Sequence, residues 1–294
     1  MLYTYTGFND KTCFKRKMFT FLYFHAIITL KRNCFLREMK NLATPINFDD
    51  KTIIAMIHLF GGSLAESTER AKKEIDVYVR NGATILVENY DTCGDDAESL
   101  ARCEAALEYL QATYPDASYG VNFLVNDQTS FALAAKYGAS FVQVESVAGH
   151  LSPQDEEGFL TELQGLREKH KGIAVLGGVR FKYQPYLSGR TLEEDLHLGA
   201  ERCDAIVASG QATGVAADDG KLEAFRDILP SFPIIVGSGL DKNNAHEQLT
   251  IANGAIVGSS LKKDGDVHNE VSEENVQDLM AVVKDMSLPQ TAVR

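Results

Sequence analysis

The 294-residue chain has no tryptophan, seven prolines and only five cysteines. Cys13, Cys34, Cys93, Cys103 and Cys203 are odd in number and scattered, with no CxxC pair and no His/Cys cluster. That excludes a disulfide-stapled scaffold and a zinc ribbon, and predicts reduced thiols in a cytoplasmic setting. No GxGxxG follows the first apolar run, which ends His58-Leu59-Phe60-Gly61-Gly62-Ser63, so the dinucleotide fingerprint is missing. A P-loop is missing too: five residues separate Gly214 from Gly220-Lys221, and Leu222 stands where Ser or Thr belongs. The apolar run Met18–Leu30 is 13 residues long, too short to span a bilayer as a helix.

Positive charge is scarce. The formal net charge is −12, which argues against nucleic-acid binding, since that needs a basic face. The deficit is uneven. Residues 1–40 hold eight Lys/Arg against two Asp/Glu, a charge of +6; residues 41–294 hold 21 against 39, a charge of −18. The chain therefore divides into a basic, aromatic leader (1–40) and an acidic body (41–294). The leader has a signal-like basic and apolar order but a poor cleavage site at Lys31–Phe35. Three readings stand: a peripheral membrane anchor, a transit-like peptide, or sequence upstream of a true start at Met39.

From residue 52, short Val/Ile-rich runs alternate with longer amphipathic stretches. The predicted strands are Thr52–His58, Ala83–Asn89, Ser118–Leu124, Ser140–Glu145, Ile173–Val179, Asp204–Ser209, Pro233–Gly237 and Gly254–Gly258. Runs such as Ile234-Ile235-Val236 suit strands buried on both faces, hence a parallel sheet. Capping boxes at Ser63–Glu66 and Thr191–Glu194 open two of the intervening helices. Eight βα units in about 240 residues predict a single-domain α/β fold, a (β/α)8 TIM barrel, with the leader outside it.

In such a barrel the site lies at the C-terminal ends of the strands. Those ends offer His58, Glu88-Asn89, Asn122 with Asp127, Glu145 with His150, and Arg180 with Lys182. They also offer three glycine-rich turns: Ser209-Gly210 with Thr213-Gly214, Gly237-Ser238-Gly239, and Gly258-Ser259-Ser260. Glycine lets a backbone approach an anion, and the turns after strands seven and eight are where barrels bind phosphate. These ten residues are the expected phosphate cradle. Lys182 is a candidate amine nucleophile or base, or a phosphate ligand. Glu88 and Glu145, both aimed at the mouth, are candidate acid/base groups. His58, Asn89, Asn122, Asp127 and Arg180 are candidate substrate contacts, with Asp127 equally placed to cap a helix. Lys262 is a further candidate cation for the anion. His58, Glu88, Glu145 and His150 offer mixed metal donors without a spacing signature. No organic cofactor is implied.

Taken in order, these stretches resemble the BtpA/SgcQ family over residues 53–286. The resemblance is carried by Val87-Glu88-Asn89-Tyr90, Gly120–Leu124 with Asn126-Asp127, Ala205–Gly210 with Thr213-Gly214, Val236–Gly239 and Gly254–Lys262. It implies a phosphate-binding barrel, with links to photosystem I biogenesis in cyanobacteria and to sugar or nucleoside chemistry elsewhere. The chain departs from the family pattern at Phe60-Gly61-Gly62, at Val125, at Gln143 and Glu145, and at Gly178, Arg180, Phe181 and Tyr183, while Val179 and Lys182 match it. The anion-binding half matches while the proton-transfer half differs. Two functions follow as expectations. One is an enzyme (lyase, isomerase or hydrolase) acting on a sugar phosphate or nucleotide. The other is a non-catalytic assembly factor at a membrane complex. A homo-oligomer is compatible with either.

Overall fold

The computed structural model describes residues 45–48, 50–90, 97–210 and 219–287. The leader, Cys13, Cys34, Cys93, Thr213 and Gly214 lie outside them.

Eight parallel strands close into a barrel in chain order, β1 (Thr52–Leu59), β2 (Thr84–Asn89), β3 (Tyr119–Asn122), β4 (Phe141–Ala148), β5 (Ala174–Val179), β6 (Ala205–Ala208), β7 (Ile234–Val236) and β8 (Gly254–Val257). β8 pairs back onto β1, with Ile53 opposite Ala255 and Ala55 opposite Val257. A helix follows each strand: α1 (Leu64–Arg80), α2 (Ala97–Thr113), α3 (Asp127–Tyr137), α4 (Pro153–Lys169), α5 (Leu192–Arg202), α6 (Asp219–Ile228), α7 (Ala245–Ile251) and α8 (Glu273–Ser287). Both expected capping boxes form, on α1 and α5. Among the described residues no helix is long and apolar enough to cross a membrane.

Two apolar cores follow from the two faces of each strand. Ile53, Ala55, Ile57 and Leu59 of β1 pack outward against the helices, as do Ile85 and Val87 of β2. Ile54, Met56, Leu86, Phe141, Leu176, Val207, Ile235 and Ile256 fill the barrel interior. Side chains alternate along a strand, so the inward columns continue at the C-terminal ends into His58, Glu88, Asn122, Gln143 and Glu145. The period-two pattern thus lifts polar groups directly above an apolar floor.

Two features break the expected outline. β4 runs on to Ala148, three residues past the predicted end, with a register shift against β5 between Val144 and Ala148. Gly178 accommodates that irregularity: a Cβ there would stand 2.0 Å from the Glu145 carbonyl oxygen. After β5, Arg180 takes a left-handed φ of 47°. That inverts the alternation, so Phe181 enters the barrel interior while Arg180 turns outward.

Candidate functional site

The C-terminal mouth holds a cavity of about 450 Å³ lined by residues from seven of the eight strand ends and their loops. On one side stand His58 and Tyr90, Glu88, Asn122, and the β4 pair Gln143 and Glu145. Lys182 and Tyr183 come from the segment after β5, and Gly237–Leu240 and Gly258–Ser260 close the other side.

Glu88 sits at the centre of the polar wall. It pairs in register with His58 on β1 and with Asn122 on β3. Asn122 Nδ2 donates to Glu88 Oε2 at 2.7 Å, and His58 Nε2 lies 3.9 Å from Oε1. Burial pushes the Glu88 carboxyl up to about 7; the Lys182 ammonium pulls it down, and the Glu145 carboxylate pushes it further up. Burial likewise raises Glu145, again opposed by Lys182. His58 shifts the other way, to about 3, through burial and the positive fields of Lys262, Lys182 and His268. At neutral pH the wall therefore carries a carboxyl able to take or give a proton beside an uncharged imidazole. The His58 ring meets Tyr90 edge-on, with centroids 4.7 Å apart.

The opposite rim is knitted by hydroxyls. Ser209 Oγ accepts from the Lys182 backbone N–H at 2.8 Å, and Ser238 Oγ accepts from the Gly210 N–H at 3.0 Å. Ser260 Oγ donates to the Leu240 carbonyl at 2.7 Å, and Asn244 Nδ2 donates to the Gly239 carbonyl at 2.9 Å. The four loops after β5, β6, β7 and β8 are tied in sequence. Gly239 makes its turn with φ at 71°, a conformation that favours glycine. Gly237 and Gly258 serve packing: a Cβ would meet Val207 Cγ1 at 2.6 Å in the first case and His58 Cε1 at 2.5 Å in the second.

The structure brings together Lys182, Glu88, Glu145, His58, Asn122, Gly237, Ser238, Gly239, Gly258, Ser259 and Ser260 around the cavity. It places six other expected residues elsewhere. Asn89 faces the helix side of β2, where its Oδ1 accepts from the Leu124 N–H. Asp127 opens α3 and lines a separate groove between α3 and α4. Burial and the charges of Glu162 and Glu145 raise its carboxyl to about 6, and the helix cap is Asn126 instead. Arg180 is committed to Asp195 at 2.9 Å and to the Arg190 carbonyl at 2.7 Å. Ser209 and Gly210 act within the rim. His150, the fourth metal candidate, packs edge-on against Phe159 of α4. Among the described residues no group of three His, Cys, Asp or Glu could hold a metal ion.

Lys262 also departs from expectation. Its side chain runs away from the mouth to an ion pair with Glu74 of α1, Nζ to Oε1 2.5 Å, with the two side chains 0% and 2% exposed. Burial lowers the lysine and raises the glutamate. Three cavity residues escaped the sequence reading as site groups: Gln143, Tyr90 and Tyr183. Gln143 lies two residues before Glu145, so the strand period could have found it. Its Oε1 is buried with no partner among the described residues.

The BtpA family model matches residues 49–285. An uncharacterized protein of Thermococcus kodakarensis is 31% identical over 82% of this chain and 98% of its own length. The photosystem I biogenesis protein BtpA of Synechocystis sp. is 30% identical over 74% of this chain and 83% of its own length. Among solved structures, phosphoribosyl anthranilate isomerase from Thermus thermophilus superposes with a TM-score of 0.53 at 14% identity, covering 80% of this chain and 99% of that one. At that identity the likeness is one of fold.

Proposed function

The chain belongs to the BtpA family, and from that premise we propose that it binds a small phosphorylated molecule in the barrel mouth and moves a proton on it with Glu88. The observation that carries the reading is the opposition of two unlike walls across one cavity. One wall presents Gly239, Ser259 and Ser260 in two turns at the ends of β7 and β8, the place where barrels hold phosphate. The other presents Glu88 with its carboxyl raised to about 7, the range in which a general acid or base works best. Lys182 lines the same cavity and supplies positive charge to an anionic ligand that the acidic body as a whole repels.

Titration calorimetry with sugar phosphates, nucleotides and inorganic phosphate tests it. Aspartate tolerates left-handed backbone, so Gly239→Asp keeps the turn and adds repulsion. The reading expects binding to the native chain and its loss in G239D with an unchanged circular dichroism spectrum. No heat from any phosphorylated probe, or equal binding by G239D, overturns it.

A second reading, an assembly factor at a membrane complex, draws support from the name of the Synechocystis relative and from Tyr183, Tyr186 and Leu187. These lie exposed on the segment after β5 at 71%, 61% and 53%, and clustered exposed apolar side chains mark protein or membrane contacts. Its test is co-sedimentation of the full chain with membranes, lost on deleting residues 1–38. A full-length chain wholly in the supernatant overturns it.

A further inference from the structure

Resting on the phosphate-binding reading, we propose that the mouth enolises its ligand. The substrate class is a short phosphorylated hydroxyaldehyde or hydroxyketone. Glu88 takes a proton from the carbon beside the carbonyl, and His58 donates a hydrogen bond to the carbonyl oxygen.

The placement of the two side chains comes first. His58 and Glu88 are register partners on adjacent strands, both on inward columns and both lining the cavity. At 3.9 Å, Nε2 and Oε1 stand too far apart to bond directly, yet both can reach neighbouring atoms of one ligand. Asn122 occupies the other oxygen, Oε2, and fixes the carboxylate plane. A base and a donor held side by side match a C–H and the adjacent C=O.

Charge is matched as well. His58 is kept uncharged by burial and, beyond that, by the fields of Lys262 and Lys182. A neutral imidazole polarises a carbonyl without giving up its proton outright, and a carboxylate base beside a neutral imidazole is an established solution for moving a proton beside a carbonyl in sugar phosphates. Lys182, whose field reaches both Glu88 and His58, opposes the negative charge that develops on oxygen.

Size sets the substrate class. About 450 Å³ lies toward the small end of ligand pockets. Gly258 belongs to the phosphate wall, yet it lies so close to His58 that a Cβ on it would stand 2.5 Å from the ring's Cε1. The anion and the carbonyl are therefore only a few bonds apart, as in a chain of three to six carbons.

The step balances without a co-reactant. The C–H electron pair becomes the C=C bond, the carbonyl π pair moves onto oxygen, and the proton resides on Glu88. Return of the proton to the same carbon regenerates substrate. Return to the neighbouring carbon, with the hydroxyl proton passing between the two oxygens across His58, gives the isomer.

Proton NMR in D2O tests this, with dihydroxyacetone phosphate and ribulose 5-phosphate as probes and saturation-transfer binding read in the same tube. The native chain is expected to exchange the C–H beside the carbonyl for deuterium. E88Q keeps binding and loses exchange about 10³-fold, and H58Q loses about 10²-fold in turnover with little change in KM. E88D retains the charge at a shortened reach and falls between, so a fold defect in E88Q cannot mimic the result. Bound probe with no exchange in the native chain, or exchange undiminished in E88Q, overturns the enolisation and leaves phosphate binding standing. Failure of every probe to bind overturns the reading beneath it and the enolisation together.

Discussion

Gly258 and His58 share one space. A Cβ on Gly258 would stand 2.5 Å from His58 Cε1, so the turn after β8 and the imidazole of β1 cannot move independently.

The substitution G258A therefore displaces His58. The expected cost is about 1–3 kcal/mol of stability from overpacking, with a larger loss of turnover than of ligand affinity. Urea unfolding of G258A, H58A and the double variant reads the coupling. The double variant should cost clearly less than the two single changes added together, because removing the ring removes the collision. Strict additivity refutes the contact.

Much of this site is legible from strand parity alone. His58, Glu88, Asn122 and Glu145 all occupy inward positions at strand ends, and a closed barrel sends them to one mouth. Asn89 sits one residue beyond such a position, so the same parity sends it to the helix side. Arg180 could not be placed this way, because its left-handed backbone inverts the alternation and installs Phe181 in its stead. Lys262 follows a glycine-serine turn and reads as an anion ligand. Only the packing of α1 against the segment after β8 shows its partner to be Glu74. Tyr183 belongs to an irregular segment with no period to read.

Glu88 makes folding stability depend on pH. Its carboxyl titrates near 7 in the folded chain against an ordinary 4.5, so the folded state holds that proton more tightly. Below about pH 4.5 the group is protonated in both states and costs nothing; the cost accrues from there and is complete above about 7, reaching roughly 3 kcal/mol at most. E88Q should therefore gain stability over the native chain at pH 8 and lose that gain at pH 4.5, as read by Tm at both values. In the native chain the deuterium exchange rate should rise with pH through about 7.

The Lys262–Glu74 pair is fully enclosed. Removing one partner strands a buried charge, at a cost of about 3–5 kcal/mol, whereas replacing both with apolar residues of similar volume is close to neutral. K262M should thus unfold at much lower urea than K262M/E74L. Equal midpoints for the two would contradict the pairing.

Val125 adopts φ of 58° while 71% exposed. A β-branched residue there is strained. V125N should raise stability by about 1 kcal/mol, measured as an increase in Tm with ligand binding unchanged.

Ser209 holds the Lys182 backbone N–H at 2.8 Å. S209A should lower stability by about 1 kcal/mol and weaken binding of a phosphorylated probe, because the lysine loses its fixed origin. Calorimetry on S209A and S209T distinguishes the hydroxyl from the packing, since threonine restores it.

The hydroxyl seam that joins the loops after β5 through β8 makes the barrel mouth a mosaic. One arc, from Lys182 to Ser260, is a single braced unit in which each turn depends on the next. The other, from His58 to Glu145, is a set of side chains on rigid strands with fewer ties, the Asn122–Glu88 hydrogen bond and the His58–Tyr90 ring contact, and it meets the first arc where His58 packs at Gly258. Descent with modification acts differently on the two. A change in the braced arc disturbs several turns at once and is costly to retain, while a change in the second arc disturbs one or two neighbours. A lineage built this way can vary the side chains of the second arc more readily than the seam of the first.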